Sequence, residues 1–287
     1  LLTALVVYES NHGLNGTVQV AKEDTEVEPS HIPLIAGETV SIHDLVFALL
    51  IGSDNDAAMT LARYTSGSVP AFVAKMNARA KELGCTGSQF QSPNGLPKDN
   101  QFTTASDLLK IFQAAIAIPE LRKITSTKDF KLTTQAGTRI LVNHNKLLGE
   151  YPGMGPAKTG WTEESKHTYA AAVDRNGHEL QLIILDSSDK WDDAKALFDY
   201  GFARFPPAPG QTPSASAADS AISSLQPINS STLQRPPATP RTYTVKKGDT
   251  LDVISEHEHC TLKALLKANP GIDPTRIKPG QVIKLPQ

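Results

Sequence analysis

The sequence predicts a mixed α/β body followed by a small independent module. Three observations carry that reading. Apolar stripes recur at helical spacing through the first half, and two pairs of strand-like runs flank turn residues before a final helix. A Pro- and Ser-rich interval then follows, holding Pro206-Pro207, Pro209-Gly210, Ser214-Ala215-Ser216 and Pro236-Pro237 with little apolar periodicity. Such a stretch cannot bury enough apolar surface to order itself and reads as a flexible linker. It divides the 287 residues into a body, 1–205, a linker, 206–241, and a tail, 242–287.

Composition narrows the function classes. At 39% hydrophobic and 20% charged the chain is globular in character, and a formal net charge of -2 offers no basic field for nucleic acid. No apolar run approaches the roughly 20 residues that span a bilayer. The longest, Leu45 to Ile51, reads as a core helix segment. The two cysteines, Cys85 and Cys260, fall on either side of the linker, so no disulfide is expected between them. The chain opens without Met, basic region or cleavage site, and an export signal is expected upstream of Leu1.

Within the body, His43 to Ile51 carries a helical stripe of Leu45, Val46, Leu49 and Leu50, broken by Gly52-Ser53-Asp54. Asp54 or Asn55 can cap the next helix, Asp56 to Tyr64, with Ala57, Ala58 and Leu61 on its apolar side. A third helix, Pro70 to Leu83, starts on Pro and ends at Gly84. Another runs from Ala105 to Ile118, with Thr103, Thr104 and Ser106 available as caps. Lys128–Thr133 and Thr138–Val142 flank Gln135-Ala136-Gly137, a hairpin signal. His167–Val173 and Glu179–Leu185 flank Asp174-Arg175-Asn176-Gly177, a second one. Asp192 to Phe205 closes the body as a helix.

Two tripeptides carry chemistry. Lys158-Thr159-Gly160 follows a loop containing Gly153, Gly155 and Pro156 and opens a short extended segment. A strand edge with an ammonium, a hydroxyl and then Gly suits a peptide carboxylate, and Gly160 lets substrate backbone pair as an added strand. Taken alone, the tripeptide fits a solvated Lys in a turn better. Ser53-Asp54-Asn55 alone fits an N-cap, yet a helix–helix corner is also a rigid place from which to aim a hydroxyl and an amide. Ser-Asp-Asn followed by Lys-Thr-Gly is the motif pair of penicillin-binding proteins and class A β-lactamases.

Further residues narrow the choice. They are the opening Leu1-Leu2-Thr3-Ala4-Leu5, Ile51 to Ala58, Ser92-Pro93-Asn94-Gly95-Leu96, and Asn143-His144-Asn145-Lys146-Leu147-Leu148 leading through Tyr151-Pro152-Gly153 to Ala157-Lys158-Thr159-Gly160-Trp161-Thr162. On these the body resembles the low-molecular-weight penicillin-binding proteins, the serine D-alanyl-D-alanine carboxypeptidases. The resemblance implies the transpeptidase fold of that group, an antiparallel sheet with helices plus a helical subdomain, and no cofactor. It also implies an acyl-enzyme reaction on peptidoglycan stem peptides ending in D-Ala-D-Ala, with β-lactams as ligands of the full-length parent. Ser53 would relay a proton to the leaving amine, and Asn55 would hold the substrate's peptide carbonyl. Lys158 and Thr159 would bind the terminal carboxylate. The backbone N–H of Trp161 would supply one oxyanion-hole donor, the other coming from the nucleophilic serine.

That serine is the departure. No Ser-x-x-Lys precedes Ser53, and the chain opens like the helix that should follow one. The nucleophile and its lysine are therefore expected immediately ahead of Leu1, and the chain as it stands is expected to be inert. Thr3 has no lysine at the required spacing, and Ser187-Ser188-Asp189-Lys190 reads as a surface turn. The alternatives are a non-catalytic peptidoglycan-binding pseudoenzyme and a DD-endopeptidase of the same family.

The tail resembles a LysM module through Tyr243 to Leu251, Leu262 to Asn269-Pro270, and Ile277 to Pro286. The expected order is strand, two short helices, strand, a βααβ unit, with Val253, Ile254, Leu262, Leu265 and Leu266 as its core. The resemblance implies binding to glycan strands containing N-acetylglucosamine, through Asp249, Thr250, Asn269, Pro270, Gly271 and Ile272. Together the two resemblances imply an exported protein of the periplasm or cell envelope. Glu256-His257-Glu258-His259-Cys260 falls at the end of a LysM helix, and no metal site is expected there. His144 reads as a hydrogen-bonded structural residue.

Overall fold

The computed structural model describes residues 1–28, 34–134, 137–205, 242–245, 251, 254, 262–270, 272, 277–278 and 280–285. The chain forms two compact units, Leu1–Ser214 and Ala215–Gln287.

The first unit begins with α1 (Leu2–Ser10), whose Leu2, Leu5 and Val6 are buried. A short pair, β1 (Thr17–Gln19) and β2 (Thr39–Ser41), runs antiparallel. Three residues per strand are too few for an alternation signal, which is why the sequence did not announce them. Ser41 accepts from the Asp44 amide and starts α2 (Ile42–Leu50). Asp54 does the same for Ala57 and starts α3 (Asn55–Ser66), which closes on left-handed Gly67. α4 (Val69–Glu82) is capped by Ser68, with Pro70 in its first turn.

Thr104 caps α5 (Ala105–Ile116). The helix expected to reach Ile118 stops earlier, because Pro119 disfavours helical backbone at the residue before it. Pro119 instead opens a separate helix, α6 (Pro119–Thr125), that periodicity alone did not separate. The stripes of α1 to α5 meet in one cluster that includes Leu5, Leu45, Leu61, Phe72 and Ile111.

The two expected hairpins are present. β3 (Asp129–Thr134) pairs with β4 (Gly137–Val142), and the turn residues Gln135 and Ala136 lie outside the described residues. β6 (Lys166–Arg175) pairs with β7 (His178–Ser187). β5 (Met154–Thr162) adds to β6, giving an antiparallel sheet of order β5-β6-β7. β5 is longer than the loop-then-strand reading allowed. Gly155 and Pro156 lie inside it, at a bulge between Met154 and Ala157, where an edge strand tolerates a missing N–H. Gly153 stays outside. Its φ is +78°, and a Cβ there would sit 2.0 Å from the Asp174 carbonyl oxygen, so only glycine lets β5 enter beside β6.

β6 is covered on both faces. Tyr169, Ala171 and Val173 pack with Phe198 and Phe202 of α7 (Lys190–Phe202), while Ala170 and Ala172 pack on Phe112 and Ile116 of α5. The sheet is thus held between the helical cluster and the last helix.

In the second unit, β8 (Thr242–Thr244) pairs antiparallel with β9 (Val282–Lys284), and α8 (Leu262–Ala268) lies between them in sequence. Its core contains Val245, Leu251, Ile254, Leu265, Ile283 and Leu285, with Leu266 packed against them. Ile254, Leu265 and Leu266 were expected there, whereas Val253 and the Leu262 side chain lie outside the described residues.

Candidate active site

Ser53 stands at the corner between α2 and α3 with φ +54°, a left-handed backbone that costs a non-glycine residue about 1–2 kcal/mol. The corner is fixed from both sides. The Asp54 amide donates to Ala48 O at 3.1 Å, and the Asp54 carboxylate accepts from Ala57 N at 2.7 Å. A Cβ on Gly52 would lie 2.9 Å from Ala48 O and 3.3 Å from the Leu141 side chain, so the hairpin β3–β4 presses on the corner only because residue 52 has none. Asn55, the first residue of α3, donates through Nδ2 to the Glu28 carbonyl at 3.0 Å. That bond orients the amide, whose nitrogen has a second hydrogen to give.

The sheet delivers the other motif. Lys158 lies in the middle of the edge strand β5, paired with Ala170, and its Nζ donates to Ser53 Oγ and, at 2.6 Å, to Thr159 O. Two motifs 105 residues apart in the chain are therefore in hydrogen-bond contact. Burial, and then repulsion from Lys190, lowers the Lys158 pKa to about 8. Thr159, Gly160 and Trp161 follow on β5 opposite Tyr169, Thr168 and His167. Trp161 is exposed. The outer edge of β5 has no strand partner among the described residues, which leaves its peptide groups open to pairing.

Sequence reasoning missed one cation. The stretch Ser187 to Lys190, expected as a surface turn, is buried at both ends: Ser187 is 6% exposed and Lys190 8%. Ser187 accepts from the Asp189 amide and donates to Asp193, so its hydroxyl serves the start of α7. Lys190 turns inward, donating to His167 Nδ1 at 2.9 Å with its Nζ 4.7 Å from the centre of the Trp191 ring. Burial and then Lys146 lower its pKa, against Asp189. A lysine in a helix's first turn opposes the macrodipole, and that misfit was the available signal.

The stretch around His144 is structural in its asparagines. Asn143 donates to Thr125 O and Thr127 O, and Asn145 accepts from Leu147 N and Tyr169 OH. In the second unit, Pro270 is exposed and Ile272 partly buried against the core. Asn269 donates through Nδ2 to Leu265 O and Lys284 O and accepts from Lys284 N. Both hydrogens of its amide thus serve structure, one bonded to the backbone of α8 and one to β9. Asp249, Thr250, Gly271 and the 256–260 cluster lie outside the described residues.

The D-alanyl-D-alanine carboxypeptidase family matches residues 1–189, and the LysM domain family matches residues 243–286. The chain is similar to the D-alanyl-D-alanine carboxypeptidase DacB2 of Mycobacterium tuberculosis, 37% identical over 216 residues, 72% of this chain and 74% of the relative. It is also similar to a D-alanyl-D-alanine endopeptidase of Escherichia coli, 29% identical over 67% of this chain and 63% of that one. The crystal structure of the Streptomyces K15 DD-transpeptidase superposes with a TM-score of 0.66 at 31% identity, over 70% of this chain and 85% of that one. The corner bearing Ser53 and the edge strand bearing Lys158 are thus parts of a shared architecture, and the chain belongs to the D-alanyl-D-alanine carboxypeptidase family, with a LysM domain following it.

Proposed function

We propose that the gene product is a serine-type D-alanyl-D-alanine carboxypeptidase of the cell envelope, acting on peptidoglycan stem peptides and held to the glycan by its LysM domain. The observation that carries this reading is the hydrogen bond from Lys158 to Ser53 beside a strand edge that is unpaired among the described residues. The edge of β5 takes the substrate backbone as an added strand, and Lys158 and Thr159 take the terminal carboxylate. Asn55, oriented by the Glu28 carbonyl, donates its remaining N–H to the substrate's peptide carbonyl.

The attacking group in this reading is the serine of a Ser-x-x-Lys motif, which residues 1–287 do not hold ahead of Ser53. The serine oxygen bonds to the carbonyl carbon of the penultimate D-Ala. The peptide C–N bond then breaks, and the serine's proton reaches the departing amine through Ser53. Water hydrolyses the resulting ester and restores the serine. The Trp161 N–H is one donor to the oxyanion. Asp249, Thr250, Asn269, Pro270, Gly271 and Ile272 are the proposed glycan contacts, and tethering keeps stem peptides at high local concentration. Export to the periplasm or envelope follows from this substrate.

Fluorescent penicillin tests the reading. The full-length product should label covalently at one serine, and Leu1–Gln287 alone should not label. A full-length product that carries Ser-x-x-Lys and fails to label would instead support the pseudoenzyme. The similarity to an endopeptidase favours a second activity, cleavage of D-Ala cross-links, which digestion of cross-linked muropeptides would detect.

A further inference from the structure

Lys190 is a buried cation without a carboxylate partner. Its Nζ meets the ring nitrogen of His167 and lies near the face of Trp191. Among the described residues no carboxylate reaches ion-pair distance of Lys190 or Lys158. The acids nearest in sequence are engaged at the start of α7: Asp189 accepts from the Asp192 amide, and Asp193 accepts from Ser187. Lys158 and Lys190 repel each other, as do Lys190 and Lys146. A buried ammonium bonded to a neutral ring, repelled by two lysines and favoured only weakly by Asp189 is stabilised by an anion from outside.

The bond to His167 also fixes protons. A lysine ammonium only donates, so Nδ1 must present its lone pair and Nε2 must carry the hydrogen. A doubly protonated ring would set two cations in contact. His167 itself is placed by the sheet, between Trp161 of β5 and Ser187 of β7. Lys190, by contrast, sits on a long flexible stem at the first residue of α7. The rigid partner therefore aims the flexible one.

We infer that His167 is a positioning residue, which as its neutral Nε2–H tautomer holds Lys190 beside Lys158 so that the site recognises a substrate with a free terminal carboxylate. The inference rests on the carboxypeptidase reading for the identity of the anion, but the His167–Lys190 pair stands independently of it. The chain needs no activity for the test, because binding alone is read.

The 287-residue chain is labelled with ¹⁵N and titrated by NMR with a peptide ending in D-Ala-D-Ala and with its C-terminal amide. At neutral pH the His167 ring should show Nε2–H and an accepting Nδ1, and Lys190→Met should shift the Nδ1 resonance. His167→Leu should weaken the carboxylate peptide by about tenfold, the scale of a hydrogen bond to a charged group. His167→Gln, whose Oε1 can accept from Lys190, should recover most of that loss. The amide peptide should bind the parent and all variants within about twofold of one another, since it lacks the charge that Lys190 would meet. An Nδ1–H tautomer in the parent chain overturns the pair. Equal affinity of the parent chain and His167→Leu for the carboxylate peptide overturns the positioning role. If the parent chain binds neither peptide, the role in carboxylate recognition is overturned, and the tautomer result alone decides whether His167 holds Lys190. Penicillin labelling of the full-length product decides the carboxypeptidase reading separately.

Discussion

The corner that carries Ser53 and the strand that carries Lys158 place neighbouring groups by opposite means. The corner is closed: Gly52 admits the hairpin, Asp54 caps α3, and Ser53 is forced into a left-handed backbone. The strand is open, paired on one side with β6 and bare on the other among the described residues. A strained, over-determined turn suits a group that must keep one position. An unpaired edge suits the part of the site where substrate backbone must be accepted. The contrast predicts that side-chain changes on the strand act on binding and reaction, whereas changes at the corner act on stability as well.

The largest effect belongs to the strand. Lys158→Met in the full-length product removes the charge and the bond to Ser53 together. Penicillin acylation should slow by about 10²–10³-fold, the range seen when one preorganised electrostatic donor is lost. Thermal unfolding should not move downward, because the lysine's ammonium is destabilised by burial. A variant that labels at the parental rate would remove Lys158 from the site.

The corner should respond differently. Ser53→Ala and Ser53→Gly both remove the relay hydroxyl, and each should slow acylation by about 10², the scale of a general acid–base contribution. They differ in backbone strain: glycine accepts φ +54° and alanine does not. Ser53→Gly should therefore be more stable than Ser53→Ala by about 1 kcal/mol in denaturant titration. Equal stabilities would mean that the corner stores no strain.

The pH dependence of the strand follows from the lowered Lys158 pKa. Folding holds this group near 8, below the ordinary lysine value of 10.5. Between those values the unfolded chain binds more protons, so this group's contribution makes stability rise with pH. Attraction for a carboxylate runs the other way, since only the ammonium provides it. Affinity of the chain for a D-Ala-D-Ala peptide should fall by up to about tenfold per pH unit above 8. A flat profile from pH 7 to 10 would show that Lys158 stays charged throughout.

The same contrast explains what could be read from the sequence. Helices α2 to α5 and both hairpins were visible because their apolar spacing and turn residues are local signals. Ser53, Asn55 and Lys158 were visible as tripeptides, and the structure brings Ser53 and Lys158 into contact. What stayed hidden depends on distant pairing. β1 and β2 are three residues each, and Glu28 matters only because its carbonyl meets Asn55. Lys190 and His167 are 23 residues apart and meet because β6 and α7 pack together. The bulge that keeps Gly155 and Pro156 in β5 is set by its register with β6 rather than by those residues alone.

The smallest effect separates the cap from the site. Asp54 is 2% exposed and sits between two residues with proposed roles, so a loss of function in Asp54→Ala could be mistaken for chemistry. Its carboxylate is instead the acceptor for Ala57 N, a duty shared by the caps of α2, α4 and α5. Removing it should cost about 1 kcal/mol of stability, the usual value for an N-cap. Asp54→Ser can still cap α3 and should recover most of that loss, whereas neither variant changes the groups around Lys158. Acylation measured well below the unfolding temperature should then stay within about threefold of the parent for both. A hundredfold fall in Asp54→Ser, with stability restored, would move Asp54 from the scaffold into the reaction. It would also show that the closed corner provides more than a fixed place for Ser53.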